Sequence, residues 1–149
     1  MKVKSFWEKF HREIVFFSIA LVVVLLDQLL KSFFLSVQPQ WQLGILKLHL
    51  IQNTGAGFGI LSGQTFWLGL LSLLVALGII IGYKKIPRET FPQLFTALFL
   101  GGVMGNMLDR LLRGFVVDFV DFSFWPAFNL ADSCLTVSVI ALVVYFWKK

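Results

Sequence analysis

Apolar residues fill four long stretches of this chain, and polar residues are concentrated between them. The stretches cover residues 14–35, 66–83, 91–108 and 129–147. Each is close to the roughly 20 helical residues that cross the hydrocarbon layer of a membrane. The pattern therefore predicts an α-helical membrane protein with four transmembrane helices. The first stretch is longer than the roughly 7 to 15 residues of a signal-peptide core, so we expect it to stay in the mature protein.

The segment between the first two helices, residues 36–65, has the pattern of a small β-sheet. Its leucines at 46, 48 and 50 alternate with Lys47, His49 and Ile51, which is typical of a half-exposed strand. The sequence NTGAGFG follows as a predicted turn. Its three glycines permit backbone conformations closed to other residues; they are Gly55, Gly57 and Gly59.

Composition and charge support the membrane interpretation and set an orientation. The 149 residues are 58% hydrophobic and 14% charged, and we expect them to form one domain, residues 1–149. Nine of the thirteen Lys and Arg residues fall on one side of the predicted spans. They are Lys2, Lys4, Lys9, Arg12, Lys84, Lys85, Arg88, Lys148 and Lys149. The positive-inside rule therefore predicts both termini in the cytoplasm, with segments 36–65 and 109–128 outside as an extracytoplasmic cap. We expect no nucleic-acid partner.

Polar residues from four distant parts of the chain all fall at the predicted outer boundary. They are Asp27, Asn53, Asn106, Asp109, Arg110, Asp118, Asn129 and Asp132. Buried charges are costly unless they are paired or neutralised. Two carboxylates in a partly desolvated site cannot easily both ionise, so one keeps a proton while the other can act as a base. Such a pair can activate water and protonate a leaving amine.

Structural roles compete with this interpretation for several of these residues. Asp27 and Lys31 share a helix face and can pair. In GGVMGNMLDR, Gly101 and Gly105 are spaced for close helix packing. Asp132 stands three residues after Asn129, the spacing of a helix capping box, so a cap and a catalytic acid are equally compatible with its position.

Asp109 and Arg110 either neutralise each other, reach lipid head groups or bind substrate. Asp121 is expected to be solvated at the surface. Asp118 lies between Val117 and Phe119, where the sequence offers no obvious cation.

Other chemistries fit less well. His11 and His49 have no companion at metal-ligand spacing, and Ser133 and Cys134 have no nearby base, so we expect no metal or other cofactor. A small proton- or cation-coupled transporter remains the alternative function. It predicts acids near the bilayer midplane and often an internal repeat, whereas these acids cluster on one side.

Five sequence blocks, in order along the chain, resemble the lipoprotein signal peptidases, also called signal peptidase II. They are DQLLK at 27–31, NTGAGF at 53–58, GNMLDR at 105–110, VVDF at 116–119 and FNLAD at 128–132. The resemblance implies an aspartic endopeptidase of the bacterial cytoplasmic (inner) membrane with its active site on the extracytoplasmic side. Such an enzyme removes signal peptides from prolipoproteins, immediately before a cysteine carrying diacylglycerol.

The resemblance also implies residue roles and partners. Asp118 and Asp132 would be the catalytic pair, and the residues that bind substrate or support the pair would be Asn53, Asn106, Asp109, Arg110 and Asn129. Asp27, Lys31, Gly55 and Gly105 would have structural roles. The expected partners are prolipoproteins with diacylglyceryl-cysteine, membrane lipids and globomycin-type inhibitors, and we expect a monomer.

Overall fold

Four long helices dominate the part of the chain that the computed structural model describes, residues 2–57 and 60–149. They are α1 (Lys2–Val37), α2 (Thr65–Gly82), α3 (Thr90–Leu112) and α4 (Leu130–Trp147), with a short 3-10 helix, Tyr83–Lys85, after α2. Phe58 and Gly59 of the predicted turn lie outside the described residues, as do the side chains of residues 2–9, including Lys2, Lys4 and Lys9.

Each of the four helices contains a segment long and apolar enough to cross a membrane. Within the described ranges these segments are Phe10–Val37, Thr65–Lys85, Thr90–Leu112 and Leu130–Trp147. The third helix continues four residues beyond the predicted end at 108, so Asp109 and Arg110 are helical rather than part of an outer loop. Large apolar side chains such as Leu21, Leu74 and Val143 are more than half exposed on the outer faces of the bundle, as expected for contact with lipid.

Helix α3 is the centre of the bundle and packs against the other three helices. Its glycines make this possible. A Cβ at Gly101 would lie 2.6 Å from the Val23 side chain of α1, and one at Gly102 would lie 2.7 Å from the Ala131 carbonyl of α4. The predicted packing role of Gly101 is therefore confirmed.

A three-stranded antiparallel sheet covers one end of the bundle. Its strands are β1 (Trp41–Leu43), β2 (Leu46–Asn53) and β3 (Val116–Asp121), in the order β1-β2-β3. Ile51 of β2 pairs with Asp118 of β3. The rings of Phe34 and Phe119 stack 4.5 Å apart and attach the sheet to the end of α1. The predicted sheet is confirmed, and β3 adds a strand that the sequence pattern did not indicate.

Two expectations about this end of the molecule were wrong. Gly55 and Gly57 do not adopt the left-handed backbone conformation, since the positive φ angles among described glycines are at Gly44, Gly63 and Gly114. Gly55 is needed for space instead, because a Cβ there would lie 2.7 Å from the carbonyl oxygen of Ile60. Asp121 is not simply solvated either. It ends β3, accepts a hydrogen bond from the backbone N–H of Ser123, and lies 3.1 Å from His49 Nε2.

Candidate active site

Two aspartates, the buried Asp118 and the half-buried Asp132, meet where β3 lies beside the first turn of α4. Asp118 is the third residue of β3 and is 1% exposed, while Asp132 lies in the first turn of α4. Asn129, the N-cap of α4, connects them. Its Nδ2 donates to Asp118 Oδ1 at 2.7 Å, and its backbone N–H donates to Asp132 Oδ2 at 3.2 Å. The Asp132 backbone N–H donates back to Asn129 Oδ1 at 2.9 Å. The predicted capping box is therefore present, and it brings the two carboxyl groups into one network.

The remaining oxygen of each carboxyl group also has a donor. Asn53 Nδ2, at the end of β2, donates to Asp118 Oδ2 at 2.9 Å, and Asn106 Nδ2, on α3, donates to Asp132 Oδ1 at 2.7 Å. Asn53 is itself fixed, because its Oδ1 accepts the Gly55 backbone N–H at 2.9 Å. Four elements thus hold two carboxyl groups in fixed orientations.

The surroundings of Asp118 favour its protonated form. Burial raises the pKa of Asp118 to about 7, and the neighbouring charge of Asp132 contributes to the rise. The hydrogen bonds from Asn53 and Asn129 act in the opposite direction, because they stabilise the carboxylate. Near neutral pH this site therefore holds one exchangeable proton beside a second carboxyl group, the arrangement that acid–base chemistry requires.

A buried ion cluster supports the pair from behind. Lys31 Nζ lies 2.8 Å from Asp27 Oδ2 and 3.0 Å from Asp109 Oδ2, and all three side chains are fully buried. It also donates to Asn106 Oδ1 at 2.9 Å, which orients the Asn106 amide so that its Nδ2 faces Asp132. The pairing predicted for Asp27 and Lys31 is confirmed. Lys31 also supports Asp132 indirectly, through its hydrogen bond to Asn106.

Other contacts of the same cluster join α1, β3 and α4. Asp27 Oδ1 accepts the Ala131 backbone N–H at 3.0 Å, and Asp109 Oδ2 accepts that of Val117 at 3.0 Å. Gly105 leaves room for Asp27, since a Cβ there would lie 2.6 Å from Asp27 Oδ2. The backbones on either side of the aspartate pair are thereby attached to the ion cluster.

Asp109 and Arg110 do not neutralise each other as one alternative had it. Asp109 forms its ion pairs with Lys31 and Arg113. Arg110 lines a cavity together with Asp132, and its Nε is buried without a hydrogen-bond partner among the described residues. Arg110 therefore shares a cavity with Asp132 and not an ion pair with Asp109.

Gln28 and Arg113 belong to this network and were missed from the sequence. Gln28 Nε2 donates to Asp109 Oδ1 at 3.2 Å and to the Gly105 carbonyl at 3.1 Å, and Arg113 donates to Gln28 Oε1 at 2.7 Å. The spacing of Asp109 and Arg113, four residues apart on one helix, was the available signal for the pair. No local spacing indicated the role of Gln28, because its hydrogen bonds to Asp109 and Gly105 join residues that are far apart in the sequence.

Two neighbouring cavities each reach one member of the aspartate pair. One, of about 450 Å³, is lined by Asp132, Arg110 and the apolar residues Trp125 and Val137. The other, of about 410 Å³, is lined by Asp118 and by residues 51–56. Asn53, Pro126 and Ala127 line both cavities.

The fold and site define a class: a multi-pass membrane protein with a pair of carboxyl groups at the boundary of two cavities. Comparison with known proteins identifies the family within this class. Residues 19–148 match a family model described as Signal peptidase (SPase) II. The chain is 37% identical over 136 residues to the lipoprotein signal peptidase of Halothermothrix orenii, covering 88% of this chain and 94% of the relative. It is 39% identical over 133 residues to that of Moorella thermoacetica, covering 85% and 89%.

Solved structures agree with the sequence relatives. A bacterial membrane enzyme structure determined by the in meso method at 2.3 Å resolution superposes with a TM-score of 0.83 at 30% identity, covering 90% of this chain and 88% of that one. The chain belongs to the signal peptidase II family, the lipoprotein signal peptidases. It is a peptidase, and this membership decides against the alternative of a small transporter.

Proposed function

We propose that this chain is an aspartic endopeptidase in which Asp118 and Asp132 cleave the peptide bond. The observation that carries the proposal is the junction at Asn129, which hydrogen-bonds to both carboxyl groups at the boundary of two cavities. A buried acid used only as a helix cap needs no second acid beside it. Asp118 has no cap to make and would only add the cost of an isolated buried carboxyl group.

The chemistry follows from one proton on the pair. The ionised carboxylate takes a proton from a water molecule while the water oxygen attacks the scissile carbonyl carbon, and the protonated partner donates its proton to the carbonyl oxygen. The tetrahedral intermediate then collapses: the C–N bond breaks, the leaving nitrogen receives a proton from the pair, and one hydroxyl of the intermediate returns its proton to the pair. One water is consumed, and a carboxylic acid and an amine are formed.

The supporting residues have distinct roles in this proposal. Asn53, Asn106 and Asn129 orient the carboxyl groups through the hydrogen bonds described above. Arg110, with its unpaired buried Nε, binds a backbone carbonyl of the substrate. Asp109 acts indirectly, since its carboxyl group is fully buried and holds Lys31 and the backbone of Val117.

The proposed substrate is a prolipoprotein, cut immediately before a cysteine that carries diacylglycerol. The site lies at the end of four apolar spans, where a lipid-anchored substrate would present its scissile bond without leaving the bilayer. Apolar cavity residues such as Trp125 and Val137 suit the lipid or the apolar signal peptide. A globomycin-type cyclic peptide would compete for the same cavities, and we expect the protein to act as a monomer.

The proposed setting is the bacterial cytoplasmic membrane, with both termini in the cytoplasm and the sheet and active site outside. The uneven distribution of Lys and Arg supports this orientation. Both termini are at the end of the bundle opposite the sheet, since α1 runs towards the sheet and α4 runs away from it.

The test compares two forms of one precursor with purified full-length protein in detergent. The proposal expects cleavage of the diacylglyceryl-modified precursor, with mass spectrometry placing the new N-terminus at the modified cysteine. The same precursor with an unmodified cysteine should be cut poorly. Asp118→Asn serves as the inactive control for contaminating proteases. Equal cleavage of both precursors, or cleavage at another bond, would overturn the proposed substrate.

A further inference from the structure

A further cavity lies at the opposite end of the bundle, between the first turns of the α1 and α3 membrane spans. It has a volume of about 210 Å³, and its lining includes His11, Arg12 and Arg88. The spans of α1 and α3 begin at Phe10 and Thr90. The basic residues therefore lie at the level where the apolar spans meet the polar surface of the bilayer.

The lining changes from basic to apolar along the direction of the helices. Val15, Phe16 and Ile19 follow the basic residues of α1, and Leu94 lies one turn into α3. Val15 is 42% exposed and Leu94 is 37% exposed, whereas Phe16 is buried at the base of the cavity. A charged rim above an apolar groove matches the order of groups in a phospholipid, with its headgroup above its acyl chains.

The charges of the rim are available to an anion. The Arg12 Nη1 group donates to the backbone carbonyl of Arg88 at 3.4 Å, a long bond that keeps the two side chains near each other. Among the ion pairs of residues 10–57 and 60–149, none includes Arg12 or Arg88. The nearby carboxylate of Glu89 is occupied by Lys149, 2.6 Å away.

The N-terminus of α3 adds to this positive potential. This 23-residue helix begins at Thr90, which lines the cavity, and its N-cap, Glu89, makes no side-chain cap hydrogen bond. The backbone N–H groups of Thr90 and Phe91 have no acceptor within the helix and lie at the positive end of its dipole, while Pro92, the third residue, has no N–H. Uncapped donors beside two arginines form a suitable site for a phosphate group.

We infer that this cavity binds one anionic phospholipid, with its phosphate between Arg12, Arg88 and the N-terminus of α3, and an acyl chain along Val15 and Leu94. This site lies at the opposite end of the bundle from the aspartate pair and shares no lining residue with the two cavities there. It would fix the terminal end of α1 against α3 in membranes that contain anionic lipid.

Lipid binding by the full-length protein in a neutral detergent tests this inference, with native mass spectrometry counting bound molecules. Phosphatidylglycerol is titrated in parallel with phosphatidylcholine, which has the same chains without net charge. The inference expects one tightly bound phosphatidylglycerol. Replacing both arginines, Arg12→Gln with Arg88→Gln, should weaken its binding roughly thirtyfold, since each basic contact to an anionic lipid contributes about fivefold.

The matched control removes the same charge outside the cavity. Lys84 and Lys85 lie at the same end of the bundle and do not line the cavity. Lys84→Gln with Lys85→Gln should leave binding within about twofold of wild type. Leu94→Trp keeps every charge but fills the groove, so it should weaken phosphatidylglycerol as well. Glycerol 3-phosphate, the headgroup without chains, should not compete.

Several results would overturn the inference: equal binding of the two lipids, equal weakening by the lysine and arginine pairs, or competition by glycerol 3-phosphate. If the double arginine variant does not fold, the single variants Arg12→Gln and Arg88→Gln carry the test. Each should then weaken binding about fivefold, and unchanged binding in both would equally overturn it.

Discussion

The alkaline limb of the activity profile is the sharpest consequence of the Asp118 environment. Catalysis by the pair requires one proton, and burial raises the pKa of Asp118 to about 7. The protonated fraction then falls from about nine-tenths at pH 6 to about one-tenth at pH 8. We therefore predict that kcat/KM falls about tenfold between these pH values, with a midpoint near pH 7.

The assay is cleavage of a fluorescent diacylglyceryl peptide under kcat/KM conditions, with activity restored on return to pH 6 to exclude unfolding. Asp121→Asn is the control. A hydrogen bond from the Ser123 backbone holds the pKa of Asp121 below its ordinary value, so this carboxyl group stays ionised throughout and its loss should not move the limb. Asn53→Ala should move the midpoint to higher pH, because it removes a hydrogen bond that stabilises the Asp118 carboxylate. A flat or rising profile in the wild-type protein would contradict the proposed protonation state.

Three further predictions concern stability, each measured by thermal unfolding in detergent. Raising the pH from 5 to 8 should destabilise the protein by a few kcal/mol through Asp118 alone, because the pKa of Asp118 is higher in the folded than in the unfolded protein and its protonated form therefore favours folding. Asp118→Asn should flatten this pH dependence. An unchanged slope in the variant would count against the raised pKa of Asp118. Lys31→Met should cost about 3–5 kcal/mol, because it leaves buried Asp27 without its cation and Asp109 with Arg113 alone, whereas exposed Lys84→Met should cost little; similar losses would refute a role for the ion cluster. Gly101→Ala should lower the free energy of unfolding by about 1–3 kcal/mol through the contact with α1. Gly78→Ala, with open space around it, should be neutral or stabilising. The reverse order of stabilities would contradict the packing of α3 against α1.

Local patterns in the sequence were enough to predict the helices, the capping box of α4 and the side-chain pairs that are close in sequence. The Asn129–Asp132 capping box and the Asp27–Lys31 pair each join residues within one turn of helix, so spacing alone predicted them. The alternation of β2 likewise predicted a strand. These features depend on neighbours close in sequence.

The remaining features depend on contacts across the fold. The first four residues of β3 are buried on both faces, so they lack the alternation that identifies a half-exposed strand. Asp109, which forms an ion pair with Lys31, belongs to another helix. The hydrogen bond from Gln28 to Asp109 likewise joins residues that are 81 positions apart in the sequence. Gly55 was expected to provide an unusual backbone conformation, but it provides space for the carbonyl group of Ile60. A turn motif in the sequence does not indicate such a close approach.

The most direct test of the central claim compares kcat/KM for lipidated precursor among wild type, Asp118→Asn, Asp132→Asn and the double variant. Residues that act as one unit are lost together, so each folded single variant should fall by about 10⁴-fold or more, to the same residual rate as the double variant. Asp121→Asn, in the same strand as Asp118, should remain active. A single variant that keeps more than about a tenth of wild-type kcat/KM would contradict the account, because one carboxyl group would then suffice.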